Sequence, residues 1–168
     1  MMVKYDYLKK YLGPHNHIIE TWRENSFLFL EEGEIENAEQ TMGIKFPEEL
    51  KDFWQEIGGG HITVSKKGAT KDYACYYANR ILFPREIASI LTQGIGSEII
   101  TEEGLEYLKE GDIPFFEIAD HMSYFTMKPS SDNPNAVYDI DGKMIEPSLE
   151  QFVWNLYHVS PIYYLNKR

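Results

Sequence analysis

From Ile35 to Gly60 the chain reads IENAEQTMGIKFPEELKDFWQEIGGG, and its apolar spacing predicts two helices with a tight corner between them. Ile35, Ala38 and Met42 recur at helical intervals, with Glu39 among them. Gly43 falls where a helix ends in a left-handed residue. Pro47 suits the first turn of a second helix, where its missing N–H is not needed. Glu48 and Glu49 follow, close to the positive end of the helix dipole. Leu50, Phe53, Trp54 and Ile57 form one wide apolar stripe. Gly58 to Gly60 stop that helix and free the backbone to turn into a strand. Upstream, Lys4 to Leu12 reads as a short amphipathic helix with Tyr5, Leu8, Tyr11 and Leu12 on one side, broken by Gly13-Pro14. Ile18, Ile19 and Trp22 make another helical patch. Phe27 to Leu30 is a continuous apolar run whose periodicity fits either helix or strand.

Downstream, His61 to Val64 reads as a strand. Ser65 to Asp72 is polar and holds the basic cluster Lys66, Lys67 and Lys71. Asn79 to Phe83 reads as a strand, and Pro84 opens a helix carrying Ile87, Ile90 and Leu91. Thr101 to Lys109 reads as a short, very acidic helix closed by Gly111. From Ile113 the period changes to two: Phe115–Ala119, Tyr124–Met127 and Ala136–Ile140 read as strands. Asp141-Gly142 is a hairpin signal leading to Lys143–Ile145. Ser148 and Gln151 stand at capping-box spacing before a last helix with Phe152, Val153, Leu156 and Tyr157. Pro161 ends it. The order of elements predicts one α+β domain, a mostly antiparallel sheet flanked by helices.

The same residues carry a family resemblance. Ile35, Glu39, Met42-Gly43, Phe46-Pro47, Leu50-Lys51-Asp52-Phe53 and Gly58-Gly59-Gly60 resemble the signature of the SUKH superfamily, in its branch of fungal cell-wall-synthesis regulators and bacterial immunity proteins. Met42 stands where a leucine is usual, and Gly58 where an asparagine is usual. Later segments are similar too: Arg80 to Pro84 with Glu86-Ile87, then Ile113-Pro114-Phe115, then Ser148 with Phe152. The resemblance implies a single SUKH-like domain, with a family core over 31–160 and a helical extension over 1–30. It also implies a binding function without catalysis, in which the protein neutralises a cognate toxin by direct contact. Toxins of that kind are often nucleases. A regulatory scaffold like the fungal members is the alternative within binding.

Composition narrows the classes. The chain has 168 residues, 43% hydrophobic and 26% charged, an ordinary globular mix large enough for a sizeable core. Aromatics reach 14%, with 12 tyrosines, a residue that serves both cores and protein interfaces. The formal net charge is −11, which disfavours nucleic acid as a partner and suits a basic protein. Cys75 is the single cysteine. It excludes an internal disulfide, fits a reducing cytoplasm, and reads as a small hydrophobe in the run Tyr73–Tyr77. The N-terminus MMVKYDYLKK lacks a signal-peptide pattern. No apolar run approaches the roughly 20 residues that span a bilayer, so no membrane association is expected.

No catalytic motif emerges. Gly58-Gly59-Gly60 lacks the spacing of a phosphate loop. No H-E-x-x-H or cysteine pair offers a zinc site, and His15 and His17 read as loop histidines. Asp139-x-Asp141-Gly142 lacks the remaining ligands of a calcium loop and reads as a turn. The enzyme alternative rests on Asp120 and His121, adjacent polar residues that also suit an ordinary turn. The expectation is therefore no catalytic residue, no metal and no cofactor. What stands out is acidic crowding, at Glu31, Glu32, Glu34, Glu36 and Glu39 and again from Glu98 to Asp112. Glu98, Glu102, Glu106 and Glu110 repeat at i, i+4, and each like-charge pair is unfavourable by a few tenths of a kcal/mol. Two readings fit this ladder, a solvated face or a docking surface for a basic partner. On the second, Glu98, Glu102, Glu103, Glu106, Tyr107 and Glu110 are the candidate toxin-facing residues.

Overall fold

The structure is a computed structural model describing residues 4–13, 24–68, 79–93, 108–118 and 123–167. Among them, seven strands form one sheet in sequential order, every neighbouring pair antiparallel. The strands are β1 (Ser26–Leu28), β2 (Gly59–His61), β3 (Asn79–Ile81), β4 (Ile113–Ile118), β5 (Ser123–Met127), β6 (Val137–Tyr138) and β7 (Met144–Glu146). The helices are α1 (Glu34–Met42), α2 (Glu48–Glu56), α3 (Pro84–Gln93) and α4 (Leu149–His158). The fold is thus α+β on an antiparallel meander, as the order of elements predicts.

The opening stretch folds as its pattern requires. Gly43 adopts φ 71° and its N–H closes α1 on the Glu39 carbonyl. Pro47 stands at the N-cap, one position ahead of the expected first turn, and its carbonyl takes the N–H groups of Leu50 and Lys51. Leu50, Phe53, Trp54 and Ile57 are buried. Phe53 meets the Tyr5 ring edge-on at 4.9 Å, Trp54 meets Phe46 at 4.7 Å, and the Trp54 indole N–H donates to the Leu82 carbonyl. One helix thereby ties together the N-terminal segment, the corner and the β3–α3 junction.

The glycines do more than stop α2. Gly59 and Gly60 are in β2 itself, two residues ahead of the strand expected at His61. A Cβ at Gly58 would lie 1.8 Å from the Leu28 carbonyl oxygen, and one at Gly60 would lie 2.1 Å from that of Ser26. Close approach of β1, not chain reversal alone, requires glycine here. The ambiguous run at Phe27 resolves as strand, with Phe27 buried and Phe29 65% exposed just beyond it.

Two other expectations are refined. Lys4 to Leu12 forms a 3-10 turn over Asp6–Tyr11, not an α-helix, though Tyr5 and Leu8 are fully buried as the apolar pattern requires. β4 and β5 do not alternate in burial: every residue of both is buried. A register shift between Pro114 and Phe116 interrupts their ladder, and both Phe115 and Phe116 reach Phe152 of α4, at 6.0 and 5.0 Å. A bulge re-aims side chains and breaks strict alternation.

The C-terminal half closes the core. In the β6–β7 hairpin, one Asp139 carboxylate oxygen takes the N–H groups of Asp141 and Lys143. Ser148 caps α4 by accepting from the Gln151 N–H, while the Gln151 side chain turns to Asn155 instead of completing a reciprocal box. Tyr164 packs edge-on against Phe125 at 4.9 Å. Leu12 forms a parallel bridge with Phe27 beside β1. At the other end of the sheet, Lys167 donates to the Ile145 carbonyl and pairs with Glu146.

Candidate interaction surface

The sheet carries one polar row. Arg80 of β3 stands opposite Glu117 of β4, which stands opposite Tyr124 of β5. Arg80 Nε donates to Glu117 at 3.0 Å, Arg80 Nη1 to Glu86 at 2.7 Å, and the Tyr124 hydroxyl to Glu117 at 3.3 Å. Glu86 also accepts the Phe83 N–H at the start of α3. Burial alone would lower the Arg80 pKa, but the Glu86 and Glu117 carboxylates outweigh it and keep the guanidinium charged. Burial pushes the Tyr124 phenol up, and Glu117 adds to the rise. These residues line a cleft of about 290 Å³ with Leu82 and Ile90. Its charges answer one another, so the row locks three strands to α3.

A second cleft of similar volume lies between α1 and α3, with Glu31, Glu32, Glu34 and Asn37 on one wall and Arg85 and Ser89 on the other. Arg85 Nη1 donates to Glu34 Oε2 at 3.1 Å, and the Glu31 N–H donates to the same oxygen. The Arg85 guanidinium lies over the Phe83 ring, 4.8 Å from its centroid. Three carboxylates against one cation leave this groove acidic.

Glu39, the glutamate of the family-like pattern, serves the fold. Its side chain is 5% exposed, with Lys45 Nζ at 2.6 Å and the Phe46 N–H at 2.9 Å from its oxygens. Burial by itself would raise its pKa. The bonds from Lys45 and Phe46, with Lys51 nearby, prevail and hold the carboxyl below the usual carboxylate range. The corner between α1 and α2 is therefore clamped by charge.

Of the candidate toxin-facing residues, Glu110 is described and exposed, just ahead of the turn at Gly111. Glu98, Glu102, Glu103, Glu106 and Tyr107 lie outside the described residues, as do Asp120, His121, Cys75, His15, His17 and the helical patch at Ile18, Ile19 and Trp22. Among the described residues no group of three His, Cys, Asp or Glu side chains could hold a metal, and no helix is long and apolar enough to cross a membrane. Sequence reading noted the crowding of Glu31, Glu32 and Glu34 but not their cation. Arg85 is 51 positions from Glu34, and no local pattern pairs residues so far apart.

A seven-stranded antiparallel meander among the described residues, with α2 and α4 in its core and an acidic groove between α1 and α3, defines an α+β domain of the class the opening signature resembles. The chain belongs to the SMI1 / KNR4 family (SUKH-1), whose family model matches residues 30–155. It is also similar to Immunity protein YxxD of Bacillus subtilis (strain 168), 26% identical over 138 residues, covering 82% of this chain and 86% of that protein. No solved structure matches the chain.

Proposed function

We propose that this protein is an immunity protein that binds a cognate toxin directly in the cytoplasm, that the toxin is a basic nuclease, and that the chain performs no catalysis of its own. The observation that carries the reading is the similarity to a protein named as an immunity protein, extending over 82% of this chain. Family membership and a net charge of −11 support it. A nuclease needs basic groups where it holds phosphate, and an acidic inhibitor covering that site gains in on-rate and specificity. The surface we assign to the toxin includes Glu98, Glu102, Glu103, Glu106, Tyr107 and Glu110. Their like-charge spacing is unfavourable in the free protein, and a basic partner relieves it.

The test is co-expression with any candidate toxin found encoded beside this gene. Growth should be rescued, the purified pair should form a stoichiometric complex, and nuclease activity should fall in step with complex formation. Rescue without a complex would overturn direct binding. A neutralised toxin with no nuclease activity would overturn the partner's class.

A further inference from the structure

Where α4 meets the N-terminal 3-10 turn, aromatic rings continue outward from the core to solvent. Five large apolar side chains are exposed among the described residues, and two of them, Trp154 and Val159, belong to this end of α4. Trp154 is 47% exposed, yet it is not loose. His158 stacks on its ring at 3.5 Å, and Tyr7 meets it edge-on at 5.6 Å. Tyr7 in turn stacks on Tyr157 at 5.1 Å, and Tyr157 meets Tyr11 at 6.2 Å. A surface tryptophan already held by two rings loses little freedom when a partner covers it. Tryptophan and tyrosine are also the residues that most often anchor interfaces.

The charge beside this layer is opposite in sign to that of the chain as a whole, which carries −11. Lys10 places its ammonium over the Tyr11 and Tyr157 rings, 5.0 and 5.6 Å from their centroids. The Lys66 backbone N–H donates to the Tyr157 carbonyl at 2.6 Å, which sets a second exposed lysine at the end of α4, with exposed Lys67 beside it. Burial alone would raise the Tyr157 phenol pKa. The Lys10 ammonium and the Tyr11 hydroxyl outweigh it, Lys66 adds to them, and the phenol is held below its usual range. The carboxylates near Tyr7 are engaged elsewhere: Glu56 accepts the Tyr5 N–H, Glu150 lies 4.0 Å from Lys4, and Asp6 pairs with Lys9 at 3.4 Å. Among the described residues, Lys10, Lys66 and Lys67 have no carboxylate within ion-pair distance.

We propose that this face, with Trp154 at its centre and Lys10 and Lys66 at its rim, docks an acidic segment of a partner protein, one that sets a large apolar side chain beside carboxylates. The apolar side chain covers the indole, and the carboxylates pair with the lysines that this chain leaves unanswered. An exposed apolar surface with a polar rim marks a contact site. The sign of the rim chooses the occupant, because complementary charges speed encounter and like charges exclude wrong partners. A second copy is the wrong occupant: a two-fold contact through this face would set the lysines of one copy against those of the other. The proposal does not rest on the immunity reading. It gives the protein a second contact, opposite in sign to the one assigned to the toxin.

The probe is the capped peptide Ac-Asp-Phe-Asp-NH2, titrated into the full-length protein and followed through backbone amide chemical shifts. Ac-Asn-Phe-Asn-NH2 removes its charge and Ac-Asp-Gly-Asp-NH2 removes its ring. The acidic aromatic peptide should give saturable shifts over residues 7–11, 66–68 and 154–159, and its binding should weaken as salt is raised. Each comparison peptide should bind at least about threefold more weakly. Trp154→Ala should weaken binding at least about tenfold. Should that variant fold poorly, Lys10→Glu, at an exposed position, provides an independent reading, with a loss of at least about threefold. Lys143→Glu makes the same change of charge at an exposed position on the β6–β7 hairpin and should leave binding unchanged. Shifts that do not saturate, or unaltered binding in both Trp154→Ala and Lys10→Glu, would overturn the site. Equal binding of the three peptides, or equal losses in Lys10→Glu and Lys143→Glu, would overturn it too. Shifts at the same residues on raising the protein concentration alone would give the face to a second copy and overturn the acidic partner.

Discussion

Glu39 shows how a single side chain in a signature can serve folding before function. Its carboxylate holds the Phe46 N–H and the Lys45 ammonium across the corner that separates α1 from α2. Removing it leaves a buried N–H unpaired, so Glu39→Ala should lower stability by about 1–3 kcal/mol, read from urea midpoints at neutral pH. The pH dependence has a definite sign. The folded carboxyl titrates below its unfolded value of about 4.3, so between the two values the unfolded chain binds more protons. Its contribution is complete above that unfolded value and is lost as pH falls through the folded one. Glu39→Gln should therefore flatten the fall of stability with acid relative to the parent. An unchanged acid limb would show that other carboxylates set it.

At the scale of elements, the helix α2 and the strand that follows it depend on shape more than on charge. Phe53 is fully buried against Tyr5 and Phe27, so Phe53→Ala should cost about 3–5 kcal/mol. A thermal or urea melt showing a loss below about 1 kcal/mol would mean the stripe is not core. Gly60→Ala should be comparably severe, about 3 kcal/mol or more, because the new methyl meets the Ser26 carbonyl and the β1 pairing must open. The first of these effects is legible in the sequence: a stripe at Leu50, Phe53 and Trp54, bounded by Pro47 and three glycines, has one sensible reading. The second is only half legible. Three glycines announce a break in the helix, but their tight contact with β1 depends on a strand roughly thirty residues earlier, whose short run at Phe27 has no period to read. The same limit hid the pairing of Arg80 with Glu86 and Glu117 and that of Arg85 with Glu34. Charges say that partners are needed, and only the folded sheet says which. The shared facing of Phe115 and Phe116 was hidden for another reason, since a bulge at Phe115 sets two successive phenylalanines against one helix.

For the whole molecule, net charge governs how it meets another protein. If the acidic ladder faces the toxin, reversing Glu102, Glu103 and Glu106 to Lys should slow association and flatten its dependence on salt, while the melting temperature holds or rises. Stopped-flow measurements at several ionic strengths would decide it, and unchanged kinetics would make the ladder a solvated face. The sheet poses a different problem. A meander has two outer strands, and each presents unpaired backbone groups on which a second copy could lengthen the ladder. Here Leu12 occupies the margin of β1, and the Lys167 ammonium stoppers the Ile145 carbonyl of β7. Lys167→Ala should therefore raise concentration-dependent self-association in sedimentation velocity, and a strictly monomeric variant would show that the stopper is dispensable. These two small plugs bear on shelf life: a sheet with stoppered margins can stand at high concentration without polymerising.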